Sequence, residues 1–241
     1  MKLAVISDIH GNLEALEAVL EDLARVGADA CVSLGDNVGY GPDPEAVVTL
    51  LIDKKIPSVM GNHELALADA KYLAWFNSLA RKSILLTEKE LSVRNLDYCR
   101  GLPAALSLFD CLFVHGCPPD RILTYIFEAS TVELSRAMER MKERLCFVGH
   151  THLLELFGFD GAGLFKSALG PAKISLPAPT KFIVNAGSVG QPRDGDRSAK
   201  YVIWDSEERF LETRFIPYDH EKTVRKILAG GWPEQHARRL L

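Results

Sequence analysis

Acidic, amide and imidazole side chains recur along this chain just beyond short apolar runs: Asp8 and His10 in SDIHGN, Asp36 in LGDN, Asn62 in GNHE, His115 in VHG, and His150 and His152 in GHTH. Nitrogen and oxygen donors without a thiolate suit Mn, Fe, Zn, Ni or Co, and a shared aspartate can bridge two such ions. A pair of ions so held lowers the pKa of a bound water from 15.7 toward ~7 and makes it a nucleophile at neutral pH. The chemistry this set implies is hydrolysis of a phosphate ester, with no nucleophile required from the protein itself.

A lone histidine is more often a hydrogen-bonded structural or surface group than a ligand. The argument here rests on the set, because most of the 7 histidines stand beside glycine or another donor. His220 and His236, in a polar helix start and a basic tail, are read as surface residues. Asp8 and His10 are two apart, as are His150 and His152, so persisting strand geometry would turn each pair to one side. Glycines flank the donors, which suits turns where backbone approaches an ion or a phosphate closely.

Further residues surround this set. His63 follows Asn62 but points elsewhere in an extended turn, which makes it the candidate proton donor to a leaving oxygen. Glu64 either orients His63 or favours the first turn of a following helix. Asn37, Tyr40 and Arg193 are candidate substrate contacts, Arg193 because a guanidinium fork matches phosphate oxygens. Trp75, Phe76 and Leu79 are spaced like one helix face and read as core or lid rather than as a platform for a base.

The elements that must position these groups follow from the apolar pattern. Runs at 3–6, 30–34, 58–60, 111–114, 145–148 and 182–184 end abruptly in Gly, Asp, Asn or His and read as buried strands feeding functional loops. Asn12 is a helix cap ahead of Leu13, Leu16, Leu20 and Leu23, and Pro44 starts a helix running to Leu51. Further helices are expected across 65–86, 88–100, 131–144 and 219–228, and hairpin-connected strands at 201–205 and 210–216. Alternation of strand and helix gives βαβ units first, with more antiparallel strands after residue 150. The Gly- and Pro-punctuated stretch 157–179 is the expected insertion or flap.

With 241 residues and 47% hydrophobic content the chain is long enough for one domain around a sizeable core, residues 1–241. A formal net charge of −4 and short, scattered basic pairs give no footprint for a nucleic-acid backbone, so a phosphate must be attracted locally. The 5 cysteines lack CxxC spacing and read as free thiols in a reducing compartment. The apolar stretch at the start is too short for a membrane span or signal core, so a cytoplasmic location is expected.

The pieces D-x-H, G-D-x-x, G-N-H-E, H-G and G-H-T-H, in this order between residues 7 and 152, resemble the calcineurin-like metallophosphoesterase superfamily. The tail NAGSVGQPRDGDRSAKYVIWD extends the resemblance to its small bacterial and archaeal phosphodiesterase branch. The resemblance implies an α/β fold: a four-layer α/β/β/α sandwich of two mixed sheets flanked by helices, with a dinuclear site at the loops beyond the strand carboxyl ends. It implies one ion on Asp8, His10 and His152, another on Asn62, His115 and His150, Asp36 as bridge, and His63 as acid. Both would be divalent, manganese first, with Fe, Zn, Ni and Co as alternatives.

The activity so implied is phosphodiester hydrolysis on a small phosphate ester such as a nucleotide, with dinucleoside polyphosphate hydrolase and general phosphatase as alternatives. Protein phosphatases of the superfamily carry Arg-Gly after the bridging aspartate, whereas this chain has GDNVGYGPDP, with Gly39 where an acidic partner of the histidine stands. A DNA nuclease of the superfamily would need a basic groove, and a scaffold that has lost catalysis would have no need of His63.

Overall fold

Leu3 to Ile6 are wholly buried, and a strand without a solvent face must be covered by a layer on each side. The computed structural model, which describes residues 1–241, supplies both layers. Strand β1 (Lys2–Ile6) leads through helix α1 (Leu13–Val26) to β2 (Ala30–Ser33), its parallel neighbour. Asn12 accepts the Ala15 N–H to start α1, and Gly27 ends it in a left-handed conformation. Helix α2 (Pro44–Asp53) begins with proline, whose missing N–H costs nothing there.

The expected helix across 65–86 is broken in three. Helix α3 (Asn62–Ala68) is followed by a 3-10 turn (Ala70–Trp75) and then α4 (Ser78–Glu90). Asp69 accepts the Lys71 N–H, and Asn77 accepts those of Leu79 and Ala80. Each short side chain offers the backbone a cap that outcompetes helix continuation. Ser92 likewise separates α4 from α5 (Val93–Arg100). The run at 58–60 forms a single bridge, Ser58 to Ser33, rather than a strand.

The second half begins with β3 (Ala105–Leu108), β4 (Cys111–Val114), α6 (Thr131–Arg140) and β5 (Leu145–Val148). It continues with β6 (Leu154–Phe159), β7 (Leu164–Ala168), β8 (Lys173–Ser175) and β9 (Lys181–Ala186). Strands β10 (Ala199–Asp205) and β11 (Phe210–Ile216) and helices α7 (His220–Ala229) and α8 (Glu234–Arg238) complete the chain. A five-stranded sheet has the order β2-β1-β10-β11-β8, and a six-stranded sheet the order β3-β4-β5-β9-β6-β7. Both are mixed: β1 and β2 are parallel, as are β4, β5 and β9, and the remaining pairs are antiparallel.

The layers follow from what each sheet face buries. Val5, Val32, Val202 and Trp204 of the first sheet meet Phe113, Phe147, Leu156 and Val184 of the second in one core between the sheets. Ala4, Ile6, Tyr201 and Ile203 on the first sheet's outer face pack against Leu16, Val19, Val47 and Leu51 of α1 and α2. On the second sheet's outer face, Cys146, Val148 and Ile183 meet Leu134 and Met138 of α6. The result is the α/β/β/α sandwich.

Residues 157–179 are no flap over the functional loops. They extend the second sheet as the β6–β7 pair and then cross to the first sheet's edge as β8. Phe159 pairs with Lys181, the first residue of β9, so the turn after β6 lies at the end of the sheet remote from where β9 delivers the chain. Its glycines serve that turn and the crossing.

Candidate metal centre

The parallel strands β1, β2, β4, β5 and β9 all end at one edge of the sandwich, and the functional loops leave from there, as ligand sites do in open α/β sheets. The loops are stitched to one another. Asp8 N–H donates to Gly35 O, His10 N–H to Asp36 O, Gly149 N–H to His115 O and Gly190 N–H to Asp8 O. The Asp8 carboxylate accepts from Ser7 Oγ at 2.5 Å and from the His150 N–H at 3.1 Å. A Cβ at Gly149 would lie 2.0 Å from Ser7 Oγ and 2.7 Å from that carboxylate, so the close approach of the two sheets' loops requires glycine there.

The two-residue spacing does bring Asp8 toward His10, though not by strand geometry, whereas His150 and His152 part to different groups of donors. Asp8 (φ 53°), His10 (φ 50°), Asp36 (φ 50°), His150 (φ 68°) and His152 (φ 63°) are all left-handed. Such backbone costs a non-glycine residue on the order of 1–3 kcal/mol and persists only where its surroundings enforce it. The inter-loop hydrogen bonds enforce it here, and strand pairing has already ended at Ile6.

Two groups of donors result. In the first, His152 Nε2 lies 3.3 Å from Asp8 Oδ1 and 3.2 Å from His10 Nε2, with His10 Nε2 3.8 Å from Asp8 Oδ1. In the second, His115 Nε2 lies 3.0 Å from Asn62 Oδ1 and 3.2 Å from His150 Nδ1. Asp36 Oδ2 stands between them, 3.8 Å from His10 Nε2 and 3.4 Å from His115 Nε2.

These contacts set lone pair against lone pair. His10 donates Nδ1–H to Val38 O (3.1 Å), His115 to Leu34 O (2.8 Å) and His152 to Gln191 O (2.5 Å). A metal-ligating imidazole is neutral and carries one proton, here on Nδ1, so in that form all three Nε2 atoms turn bare lone pairs inward, toward carboxylate oxygens, an amide oxygen and each other. Asp8 Oδ1 is fully buried and has no hydrogen-bond partner at all. Acceptors crowded at this spacing repel unless cations sit among them. The carbonyl bonded to the far ring nitrogen is also how metal-ligating histidines are oriented. The donor set therefore fits divalent ions on both sides of Asp36.

Burial sets the protonation of the cluster when nothing but protons can neutralise it. It pushes His10 and His152 well below the usual imidazole range and His150 down to about 3. Asp8 is pushed up to about 7 by burial and by the Asp36 charge. Burial drives Asp36 upward too, but His115, His63 and His10 around it hold its carboxyl well below the ordinary value. His115 goes the other way: burial opposes its charge, yet the Asp36 carboxylate raises it to about 9. One imidazolium thus occupies the place that suits a metal ion.

His63 is 1% exposed, its Nε2 3.9 Å from Asp36 Oδ2 and its Nδ1 without a partner. Its ring lies against Gly39, where a Cβ would fall 2.0 Å from Nδ1, and Gly39 itself has φ +85°. An acidic side chain at 39 would displace the ring it is meant to support. Glu64 neither touches His63 nor serves only its helix. Buried completely, it accepts N–H bonds from Asp36 (2.9 Å), Asn37 (2.8 Å), Val38 (3.3 Å) and Gly61 (2.9 Å), and so holds the Asp36 loop against the Asn62 loop.

Asn37 is not aimed at a substrate. Its amide is fully buried, accepting from Ser33 Oγ at 2.6 Å and donating to Ser58 Oγ at 3.0 Å, which ties β2 to the segment after α2. Tyr40 does face the cluster, its ring 4.4 Å from that of His10 and 4.6 Å from that of His63. Arg193 is exposed on the rim. Its positive charge helps lower His10, His63, His150 and His152. Beneath it, buried Lys200 donates to Asp194 Oδ1 (2.8 Å) and to the carbonyls of Asp196 (2.6 Å) and Ser198 (3.3 Å), fastening the loop that carries Arg193.

His236 is buried, not on the surface. It bonds Ser83 Oγ at 2.9 Å and packs behind Tyr40 at 4.6 Å, and burial pushes it down to about 4. The basic tail hides it because Ala237 and Leu240 beside it join Val224, Ile227 and Trp232 in a small cluster of their own. His220 is half-buried at the start of α7. Sequence reasoning also passed over Tyr125, which stacks on His150 with centroids 3.8 Å apart. The irregular segment after His115 carries no periodicity that could have singled it out.

A sequence profile of the calcineurin-like phosphoesterase superfamily domain matches residues 1–209. The chain is 36% identical over 243 residues to uncharacterized protein MJ0912 of Methanocaldococcus jannaschii, covering 99% of this chain and 96% of that one. The solved metallophosphoesterase from Sphaerobacter thermophilus superposes with a TM-score of 0.84 at 34% identity, covering 100% of this chain and 98% of the other. Over a shorter stretch of 42 residues, 17% of this chain and 23% of its relative, the identity to phosphodiesterase YfcE of Escherichia coli is 55%. With those matches and the buried Asp and His cluster at the strand ends, the chain belongs to the calcineurin-like phosphoesterase superfamily, whose chemistry is performed on phosphate esters.

Proposed function

We propose that this protein is a dinuclear metal-dependent phosphodiesterase. Asp8, His10 and His152 would hold one ion, Asn62, His115 and His150 the other, and Asp36 would bridge them. The observation that carries this reading is the inward crowding of bare Nε2 and carboxylate lone pairs on both sides of Asp36. Manganese is the ion we favour, since the donors are imidazole, carboxylate and amide with no thiolate. When bound, the two ions supply the positive charge that attracts the phosphate and the acidity that activates a water for in-line attack.

The chain's own groups do the rest. Arg193, held by the Lys200 clamp, offers a guanidinium fork to phosphate oxygens at the rim. Tyr40 closes the side of the cluster next to His10 and keeps water out. His63 is the proton donor to the departing oxygen. Burial keeps it neutral down to about 4, and a phosphate anion arriving beside it favours the imidazolium in return. The 42-residue stretch shared with the phosphodiesterase YfcE is what favours a diester in this reading. The cysteines are all unpaired, in keeping with a reducing cytoplasm, and no helix is long and apolar enough to cross a membrane.

The test is elemental analysis of purified protein followed by nitrophenyl monoester and diester hydrolysis with manganese. We expect bound metal and faster turnover of the diester. Metal-loaded protein that hydrolyses neither ester refutes the reading. His63→Ala should keep its metal and lose most turnover of alkyl esters, with a smaller loss on nitrophenyl esters whose leaving group needs no proton. Equal losses on both remove His63 from the acid role.

A further inference from the structure

Beside the second group of donors lies a cleft of about 160 Å³ whose walls are aromatic: Tyr40, Trp75 and Phe76 on one side and Tyr125 on the other, with Asn62 and His150 at the metal end. Ester hydrolysis on the metal cluster has no use for Trp75, Phe76 or Tyr125. Trp75 ends the 3-10 turn Ala70–Trp75, which buries no residue, and its indole is 72% exposed. Nothing in the fold requires an indole there. The opposite wall is a stack that climbs out of the cluster: Tyr125 lies 3.8 Å from His150 at 11°, and Phe127 lies 5.0 Å from Tyr125 at 13° and is 61% exposed. Large aromatic rings left in water beside a polar site mark a surface that something flat and apolar covers.

The position of His63 ties this cleft to the reacting ester. Its ring packs edge-on against Phe76 (5.0 Å) and Tyr40 (4.6 Å), both of which line the cleft. An ester oxygen facing His63 therefore carries its organic group along those two rings into the cleft. Asn77, whose Oδ1 caps α4, keeps its amide N–H groups for the edge of a heterocycle.

Resting on the phosphodiesterase reading, we propose that this cleft is a nucleobase subsite, and that the substrates are phosphate esters of nucleosides. Stacking on exposed rings supplies the affinity, and it tolerates different bases because each has a π-face.

The test is isothermal titration of manganese-reconstituted protein with adenosine 5′-monophosphate and with ribose 5-phosphate, which differ only in the base. Stacking predicts that the nucleotide binds roughly five- to a hundredfold more tightly. It should also quench indole emission, since Trp75 is the exposed tryptophan while Trp204 and Trp232 are buried. Trp75→Ala and Phe127→Ala should bring the affinity ratio to within twofold, and Trp75→Phe, which keeps a ring, should preserve it. A ratio within twofold in the unaltered protein overturns the proposal, as does a ratio that survives both alanine substitutions. Indole emission that reports burial at high protein concentration and exposure on dilution assigns the rings to a contact between copies, and overturns it equally. Turnover of nitrophenyl diesters without any preference for the nucleotide sinks this proposal alone; absence of metal and turnover sinks the phosphodiesterase reading as well.

Discussion

In the Asp8 half of the cluster, both His10 and His152 point Nε2 inward and anchor Nδ1 to a backbone carbonyl, whereas in the Asn62 half His115 does so and His150 does not. His150 turns Nδ1 inward and leaves Nε2 with no partner. The first half also has a carboxylate of its own, with one oxygen tied by Ser7 and by the His150 N–H and the other free for a ligand. The second has only the neutral amide of Asn62 and a share of Asp36. A carboxylate and two oriented imidazoles bind a dication more tightly than an amide and one oriented imidazole. On the proposed reading, an ion on the Asp8 side would be held firmly and one on the Asn62 side, next to the aromatic cleft, would exchange.

Asp36 is common to both halves, so its substitution should erase the contrast. Asp36→Asn is expected to reduce metal content from about two ions per chain to below one and to cut turnover more than ~100-fold, beyond the loss typical of an outer-shell partner. Retention of both ions by elemental analysis contradicts the bridging role. Separating the halves comes next: Asp8→Asn should abolish the tighter manganese site in a titration, while Asn62→Ala should weaken only the looser one, by ~10–100-fold. The reverse pattern inverts the comparison.

Glu64 tests how the looser half is held. Glu64→Ala strands the buried N–H groups of Asp36, Asn37 and Gly61 without an acceptor, and we expect a loss of roughly 3 kcal/mol, or ~10 °C in Tm, by calorimetry. An unchanged Tm leaves the clamp without a role.

The smallest effect concerns pH. In chelator-treated protein the Asp36 carboxylate raises His115 to about 9 against burial, whereas Asp8 and Glu64, raised by burial only to about 7, have lost most of their contribution by that pH. Groups raised by folding stabilise at low pH and lose that contribution as pH climbs through their folded values. Tm should therefore fall between pH 7 and 9, on the order of 5 °C. Manganese displaces the His115 proton and should flatten that limb, so an identical pH profile with and without metal runs against the cluster as described.

The gathered donors were legible because donor type is local: Asp8, Asp36, His115 and the GHTH pair each follow an apolar run that becomes or abuts a buried strand. The cap at Asn12 and the helix start at Pro44 were legible for the same reason. The 65–86 helix was misread because Asp69 and Asn77 look like tolerable helix residues until their side chains are seen capping new turns. His236 was misread because its burial depends on Tyr40 and Ser83, remote in the chain. Asn37 stands beside Asp36, yet its amide goes to Ser33 and Ser58, a matter of which way a loop turns.

By itself, the order and chemistry of the side chains determined which atoms are available for metal ions and that strands would carry them, since donor type and hydrophobic period are properties of single residues and short runs. Long-range contacts set the left-handed backbone of Asp8, His10, Asp36, His150 and His152, the joining of two loops by Glu64, and the meeting of aromatic rings from separate segments in one cleft. Those outcomes depend on hydrogen bonds and packing between residues as far apart as Asp8 and His150, and no local pattern contains them.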